Sequence, residues 1–272
     1  MTRFLSGLEL QGFIQERQAK QVRNLRQQDR IAPKLLVIMG EHASDASKSY
    51  VAMKQRYAAE ILIDVDVRSV AQAAMIEAIN AANNDESVTG IIVQLPIDDP
   101  AQTEEICNAI APEKDVDGLG SVAGYTSATA EAIDWLLVGY NVDLTNKRIT
   151  VVGNGKLVGA PLYALWSERN YNVSVLDEFS ENITQTLQSS DVIVSATGKA
   201  RLITSDMVPI DSVIVDAGTT SENGVLVGDV DGAVRERPDV TITPEKGGVG
   251  PLTITLLFDH VIQAALKKAG KL

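Results

Sequence analysis

The sequence predicts an α/β protein of two domains, each built on a parallel sheet. Three observations predict it. Short apolar runs rich in Val, Ile and Leu alternate with longer segments at helical spacing, first over residues 34–111 and again from 148 onward. A Gly-, Ser- and Asp-rich tract at 112–130 separates the two series. The 272 residues are 45% hydrophobic but only 4% aromatic, so the core must be aliphatic, as suits strands buried on both faces among Ala-rich helices.

The elements follow in order. Residues 7–28 carry apolar side chains at helical spacing with a charged opposite face, and predict a helix. KLLVIMG at 34–40 predicts a buried strand, and residues 47–60 a helix. IDVDVRSV at 63–70 alternates apolar and polar and reads as a strand. A helix over 71–83, strand TGIIVQLPI at 89–97 and helix TEEICNAIA at 103–111 complete the first series. A helix over 131–139 follows the junction, and RITVVGNG at 148–155 opens the second series. Its further strands are NVSVLD at 172–177, DVIVSATG at 191–198, SVIVDAG at 212–218 and VTITP at 240–244. The last segment, 251–268, is helical and apolar on one face. The expected domains are residues 1–120 and 121–250.

A net charge of −12 disfavours a nucleic-acid partner, because phosphate-backbone binding needs clustered Lys and Arg. Cys107 is the single cysteine, which excludes an intrachain disulfide and a Cys-rich zinc site and fits a reducing compartment, the cytoplasm. His42 and His260 are far apart, no metal-ligand spacing is present, and no metal is expected. The N-terminal stretch lacks the continuous apolar core of a signal peptide, and by this reading no apolar run is long enough to span a membrane.

In the second half, Gly153, Gly155 and Gly159 follow a β-branched strand and open a helix. Such glycines let the backbone turn tightly and approach a pyrophosphate at the helix N-terminus. Asp177 ends the next strand, at the spacing of an acid that accepts from ribose hydroxyls. The segments Ala196-Thr197-Gly198 and Ala217-Gly218 end two further strands, at the sheet edge where a dinucleotide lies. The half reads as a Rossmann-type, doubly wound parallel sheet. Each piece taken singly is also an ordinary turn or cap.

In the first half, Tyr50 and Lys54 are four residues apart and share one helix face. A desolvated lysine beside a phenol forms a proton-transfer pair, although the same pair also suits a solvated surface. Short-chain dehydrogenases use Tyr-x-x-x-Lys after the glycine-rich turn; here it precedes that turn, so chain order rejects that reading. Gln94 lies at the end of a buried strand, where an amide reads a ring edge or anchors a loop. Lys114-Asp115-Val116-Asp117-Gly118 sets two carboxylates in a tight turn.

Together these segments resemble the bifunctional methylenetetrahydrofolate dehydrogenase/cyclohydrolase family. The matches are SKSYVAMK at 47–54, GIIVQLPI at 90–97, APEKDVDGL at 111–119, GNGKLVGAP at 153–161 and ITPEKGGVGPLT at 242–253, in the family's order. The resemblance implies an N-terminal three-layer α/β catalytic domain completed by the C-terminal helix 251–272, a Rossmann domain, and a folate cleft between them. It implies oxidation of 5,10-methylenetetrahydrofolate with NAD or NADP and hydrolysis of the methenyl product to 10-formyltetrahydrofolate, in one-carbon metabolism and purine biosynthesis. A homodimer is implied as well.

Carried over by position, Lys54 is the catalytic lysine, Tyr50 its partner on the pterin face and Gln94 the support of the lysine. Asp117 bonds the pterin ring. Leu95, Pro96, Gly248, Val249, Gly250 and Pro251 join the substrate site. Gly153, Asn154, Gly155, Lys156, Leu157, Val158, Asp177, Ala196, Thr197, Gly198, Ala217 and Gly218 form the cofactor site. The rival readings are a dehydrogenase without cyclohydrolase activity, a non-catalytic folate-binding relative, and a shikimate-dehydrogenase-like enzyme, which the VQLP, DVDG and GGVGP segments disfavour.

The chain departs from the family pattern on the cofactor side. The usual Gly-Arg-Ser is Gly153-Asn154-Gly155, and the usual Cys-His-Ser is Leu176-Asp177-Glu178. Ser127-Ala128-Thr129-Ala130 replaces Pro-Cys-Thr-Pro, and Glu245-Lys246 replaces Val-Pro. A 2′-phosphate would meet Asp177 and Glu178 with Lys156 as the only nearby cation, so NAD is expected to be preferred over NADP.

Overall fold

A computed structural model describes residues 2–222 and 225–272. In chain order its elements are β1 (Arg3–Phe4), α1 (Gly7–Asn24), β2 (Lys34–Gly40), α2 (Asp45–Glu60), β3 (Asp64–Val70), α3 (Met75–Asn83), β4 (Gly90–Val93) and α4 (Thr103–Asn108). Then come α5 (Ala128–Gly139), β5 (Ile149–Val152), α6 (Gly159–Glu168), β6 (Val173–Leu176), α7 (Ile183–Gln188), β7 (Val192–Ser195) and β8 (Val213–Asp216). The remainder is β9 (Thr220–Glu222), β10 (Val225–Val227), α8 (Gly232–Arg235), β11 (Thr241–Ile242) and α9 (Val249–Lys268). The chain divides into two units, Gly12–Ala128 with Ile254–Leu272, and Met1–Gln11 with Thr129–Thr253.

The unit containing Gly12–Ala128 is organised by β2, whose Leu35, Leu36, Val37 and Ile38 are fully buried. A strand apolar on both faces needs cover on both, which parallel crossover connections supply. The sheet is parallel in the order β3-β2-β4, with Val37 opposite Val67 and Ile92. On one face Leu36, Ile38, Ile91 and Val93 share a core with Met75 and Ile79 of α3 and Ile106 of α4. On the other side Tyr57 of α2 stacks on Phe258 of α9, ring centroids 5.7 Å apart. Buried Gln18 ties three helices together: its Oε1 accepts from Tyr57 at 2.7 Å and its Nε2 donates to the Thr255 carbonyl at 3.0 Å. Burial pushes the Tyr57 phenol up to about 12, so it stays a donor. By length and composition α9 is apolar enough to cross a membrane, contrary to the sequence reading. Its Leu256, Leu257, Phe258, Val261 and Ile262 are instead buried in the fold.

The unit containing Thr129–Thr253 carries a six-stranded parallel sheet in the order β6-β5-β7-β8-β11-β1. After β6 the chain returns across β5 to place β7 on the opposite side, so the winding reverses between β5 and β7. Ligands of open α/β sheets lie outside the carboxyl ends of such a pair. Ile193, Ile203, Ile214, Val234 and Ile242 are fully buried on one side. Buried Trp166 of α6 donates to Asp134 of α5 at 2.9 Å, and Arg169 closes that contact with an ion pair at 2.7 Å.

The domain division differs from the sequence reading at its edges. Residues 1–11 belong with the second sheet, not with the first domain, because β1 pairs with β11 (Arg3 opposite Thr241) and Leu5 N–H donates to the Ile242 carbonyl at 2.9 Å. A two-residue strand carries no periodicity to read. The junction falls after Ala128 rather than at 120, and α9 passes from one unit to the other after Thr253. The antiparallel pairing of β9 with β10, Val225 opposite Glu222, has no counterpart in the sequence reading.

Candidate active site and nucleotide site

In the first unit the proton-transfer candidates come from three places. Ser44 caps α2, its hydroxyl accepting from Ser47 N–H at 3.1 Å, and so fixes where the helix begins. Two and three turns on, Tyr50 and Lys54 project from one face, both half-buried. Gln94 stands just past β4, 8% exposed, anchored by its own N–H to the Ile38 carbonyl at 2.8 Å. Its side-chain NH2 donates to the Leu95 carbonyl at 2.8 Å, which directs Oε1 the other way, and that oxygen accepts from Lys54 Nζ at 2.9 Å. Leu95 is half-buried, Pro96 is exposed, and the bond between them is cis.

The turn at 114–118 separates its three charged residues by role. Lys114 Nζ donates to the carbonyls of Ala82, Asn83 and Asp85 and so caps the end of α3. Asp115 is 1% exposed and accepts from Gly118 N–H at 3.1 Å and Gly120 N–H at 2.7 Å, which makes it the brace of the turn. Asp117 faces Lys54 electrostatically. Burial holds the Lys54 ammonium below the ordinary lysine range, and the charge of Asp117 offsets this only in part. Burial likewise raises the Asp117 carboxyl, against the opposing charges of Lys54 and His260. Both groups are thus moved toward their neutral forms, the condition in which a lysine exchanges protons at neutral pH. Burial also raises the Tyr50 phenol, which therefore remains a donor.

His260 of α9, uninformative in sequence, belongs to this cluster. It is 1% exposed, its Nδ1 donates to the Val116 carbonyl at 2.8 Å, and its ring stacks on Tyr125 at 4.9 Å. No sequence signal ties residue 260 to residue 116; the contact exists only once α9 packs.

In the second unit the strand-end residues line one sheet edge. Gly153 N–H donates to Leu176, Ala196 N–H to Val152 and Ala217 N–H to Ser195, at 2.7, 2.8 and 2.8 Å. Gly153 has φ +103°, and a Cβ there would stand 2.5 Å from the Ala196 carbonyl oxygen. A Cβ on Gly159 would collide with the Gly153 carbonyl oxygen. Asn154, Gly155, Lys156 and Leu157 form an exposed turn, and Val158 precedes α6 without a side-chain cap. An open turn over an uncapped helix start, at the reversal of the winding, fits a dinucleotide pyrophosphate. Gly248 is buried against Thr243, Val249 and Gly250 open α9, and the Pro251 carbonyl accepts from Gln11 at 2.8 Å. These four belong to the second sheet's unit, whereas Tyr50, Lys54, Gln94 and Asp117 belong to the first.

Asp177 is exposed, and its Oδ1 accepts from Phe179 N–H at 3.0 Å and Ser180 Oγ at 2.8 Å. These bonds hold the carboxyl below the usual range, so it is ionised at neutral pH. The expectation that Lys156 is the only cation nearby is corrected: Lys199, after the Thr197-Gly198 turn, lies 4.0 Å from Glu178. Residues 178 and 199 are adjacent only because β6 and β7 flank β5, which no local pattern discloses.

Comparison with known proteins follows this division. Residues 5–117 match the tetrahydrofolate dehydrogenase/cyclohydrolase catalytic domain, and residues 127–269 match the NAD(P)-binding domain of the same family. The bifunctional protein FolD of Lactobacillus acidophilus is 35% identical, over 100% of both chains. The crystal structure of the bifunctional FolD methylenetetrahydrofolate dehydrogenase/cyclohydrolase of Campylobacter jejuni superposes with a TM-score of 0.92 at 30% identity, covering 98% of this chain and 100% of that one. The Trypanosoma brucei N5,N10-methylenetetrahydrofolate dehydrogenase-cyclohydrolase, complexed with NADP and an inhibitor, gives 0.91 at 26% identity, covering 100% and 99%. With both of its domains matched, and in that order, this chain belongs to the tetrahydrofolate dehydrogenase/cyclohydrolase family.

Proposed function

We propose that the chain oxidises 5,10-methylenetetrahydrofolate to the methenyl cation with a nicotinamide cofactor and hydrolyses that cation to 10-formyltetrahydrofolate. The observation that carries the reading is the half-buried Lys54 held on Gln94 at 2.9 Å within the field of Asp117. When bound, the cofactor supplies the hydride acceptor, and the protein's part in that step is alignment. Asp117 accepts from the amino edge of the pterin, and Tyr50 packs on the ring. Hydrolysis adds water to the cationic carbon. Neutral Lys54 takes a proton from that water, the bond from carbon to N5 breaks, N5 is protonated, and one proton leaves to solvent. Gln94 keeps Lys54 in place through both proton transfers. Leu95 and Pro96, in the unit that carries Lys54, complete the folate contacts there.

Residues 153–158, the Ala196–Gly198 and Ala217–Gly218 strand ends and Asp177 take the dinucleotide, with NAD preferred. Ionised Asp177 opposes a 2′-phosphate, and Lys199 is already engaged by Glu178. An unphosphorylated ribose offers hydroxyls that Asp177 accepts. The chain acts as a cytoplasmic homodimer supplying one-carbon units, including those for purine biosynthesis. The test is kcat/KM for NAD and NADP at fixed methylenetetrahydrofolate, with methenyl hydrolysis followed separately. Reduction of neither cofactor would overturn the dehydrogenase reading, and a preference for NADP would overturn the assignment of NAD.

A further inference from the structure

Asp229, which no motif in the sequence singles out, is fully buried below the carboxyl edge of the second sheet. Its Oδ2 accepts three hydrogen bonds, from Ser195 Oγ at 2.8 Å, Thr197 N–H at 2.6 Å and Thr197 Oγ1 at 2.9 Å. Its Oδ1 is buried without a hydrogen-bond partner. A Cβ on Gly218 would collide with the same carboxylate, so the strand end after β8 is pressed directly onto it.

The neighbouring acid is handled differently. Asp216 accepts from the N–H groups of Gly218, Asp229 and Val230 and pairs with Arg235 at 2.7 Å, so its charge is compensated and its task is to hold the 228–230 backbone. Asp229 pairs with no cation among the described residues. All of its donors belong to the end of β7 and the turn beyond it. A buried carboxyl with one oxygen left unpartnered costs solvation that ordinary packing would avoid. Its contacts must therefore be sought where they converge, on Thr197.

From Thr197 the arrangement runs outward. Thr197 Oγ1 donates to Asp229 and accepts from Lys199 N–H at 3.1 Å, which shapes the turn through Gly198. The Thr197 methyl and the Ala196 carbonyl form the floor under Gly153: a Cβ there would stand 3.2 Å from that methyl and 2.5 Å from that oxygen. The glycine turn after β5 therefore rests on a turn whose shape Asp229 sets.

We infer that Asp229 is a positioning residue for the nicotinamide nucleotide, fixing the Ala196–Lys199 turn and, through Thr197, the height of the Gly153 turn. The inference rests on the reading of these turns as the nucleotide site. The test measures dissociation constants for NAD, NADP and tetrahydrofolate by calorimetry, each ligand alone, with thermal unfolding, on the wild type, Asp229→Ala and Asp229→Asn. Removing the acceptor is expected to weaken nucleotide binding at least about tenfold. Tetrahydrofolate binding should stay within about twofold, since no charged pterin contact is altered. Asp229→Asn keeps an oxygen for Thr197 and Ser195, and should restore nucleotide affinity to within about threefold of wild type. Should Asp229→Ala fail to fold, Ser195→Ala removes one donor from within β7 and should weaken nucleotide binding selectively. Nucleotide affinity unchanged in Asp229→Ala, or in Ser195→Ala where that variant takes its place, would overturn the inference. So would equal loss of all three ligands with no rescue by Asn, the pattern of a general scaffold residue. Absence of nucleotide binding in the wild type would overturn the site reading itself.

Discussion

Gln94→Leu isolates the contact that sets Lys54. Leucine keeps the bulk of a residue only 8% exposed and removes the one amide oxygen that accepts from Nζ at 2.9 Å. A hydrogen bond to a charged group contributes about 1.5–3 kcal/mol, so its loss multiplies the ratio of neutral to protonated lysine about 10- to 150-fold. Water reaches the half-buried lysine, which places the effect toward the low end. The sign is definite. Gln94 stabilises the ammonium against burial, so its removal adds to a depression that burial already imposes. The assay is the pH–rate profile of methenyl hydrolysis, whose acid limb reports conversion of Lys54 to its neutral form. That limb should move to lower pH in Gln94→Leu, while the plateau rate falls because the lysine is less well oriented. An acid limb that stays in place, or moves upward, would refute the role given to this pair.

Three further outcomes are expected. Lys54→Met should abolish hydrolysis; it should also raise Tm at neutral pH, because a lysine whose folded pKa lies below its unfolded value of about 10.4 costs stability until the pH exceeds that value. The Tm difference should shrink as pH rises through that window, and a difference that grows would contradict the sign. Asp117→Ala should weaken folate binding by about 1.5–3 kcal/mol, with dinucleotide binding unchanged by calorimetry, the loss of a charge-assisted hydrogen bond. Equal loss of both ligands would make the residue a turn brace like Asp115. Asp177→Ser should raise kcat/KM for NADP relative to NAD by removing an ionised carboxylate from the 2′ position; an unchanged ratio would remove Asp177 from the cofactor site.

What the sequence disclosed depended on the range of the interaction. Strands such as β2, β5 and β7 are runs of Val, Ile and Leu, and their burial on both faces is local information. Tyr50 and Lys54 are four residues apart on one helix, so their shared face was legible; that Gln94 meets Lys54 came only from the family pattern. The turn chemistry alone does not separate the carboxylates at 115 and 117; the family pattern points to Asp117, and the backbone donors from Gly118 and Gly120 mark Asp115 as structural. His260, Lys199 and Asp229 escaped because each acquires its neighbours through tertiary packing: α9 onto the 116 carbonyl, β7 beside β5, and the segment after β10 under the end of β7. The strand β1 escaped because pairing two residues leaves no alternation to detect.

One chain is proposed to perform both steps on one folate. That proposal is tested most directly in a single reaction of the purified protein with 5,10-methylenetetrahydrofolate and NAD or NADP. Reduced cofactor, methenyl and 10-formyl products are followed together, beside a parallel reaction of Lys54→Met. Wild type should reduce cofactor and accumulate 10-formyltetrahydrofolate faster than methenyl-folate hydrolyses in buffer, and the Lys54→Met reaction should form 10-formyl product no faster than buffer does. Cofactor reduction with hydrolysis at the buffer rate in the wild type, or hydrolysis undiminished in the variant, would contradict the proposal.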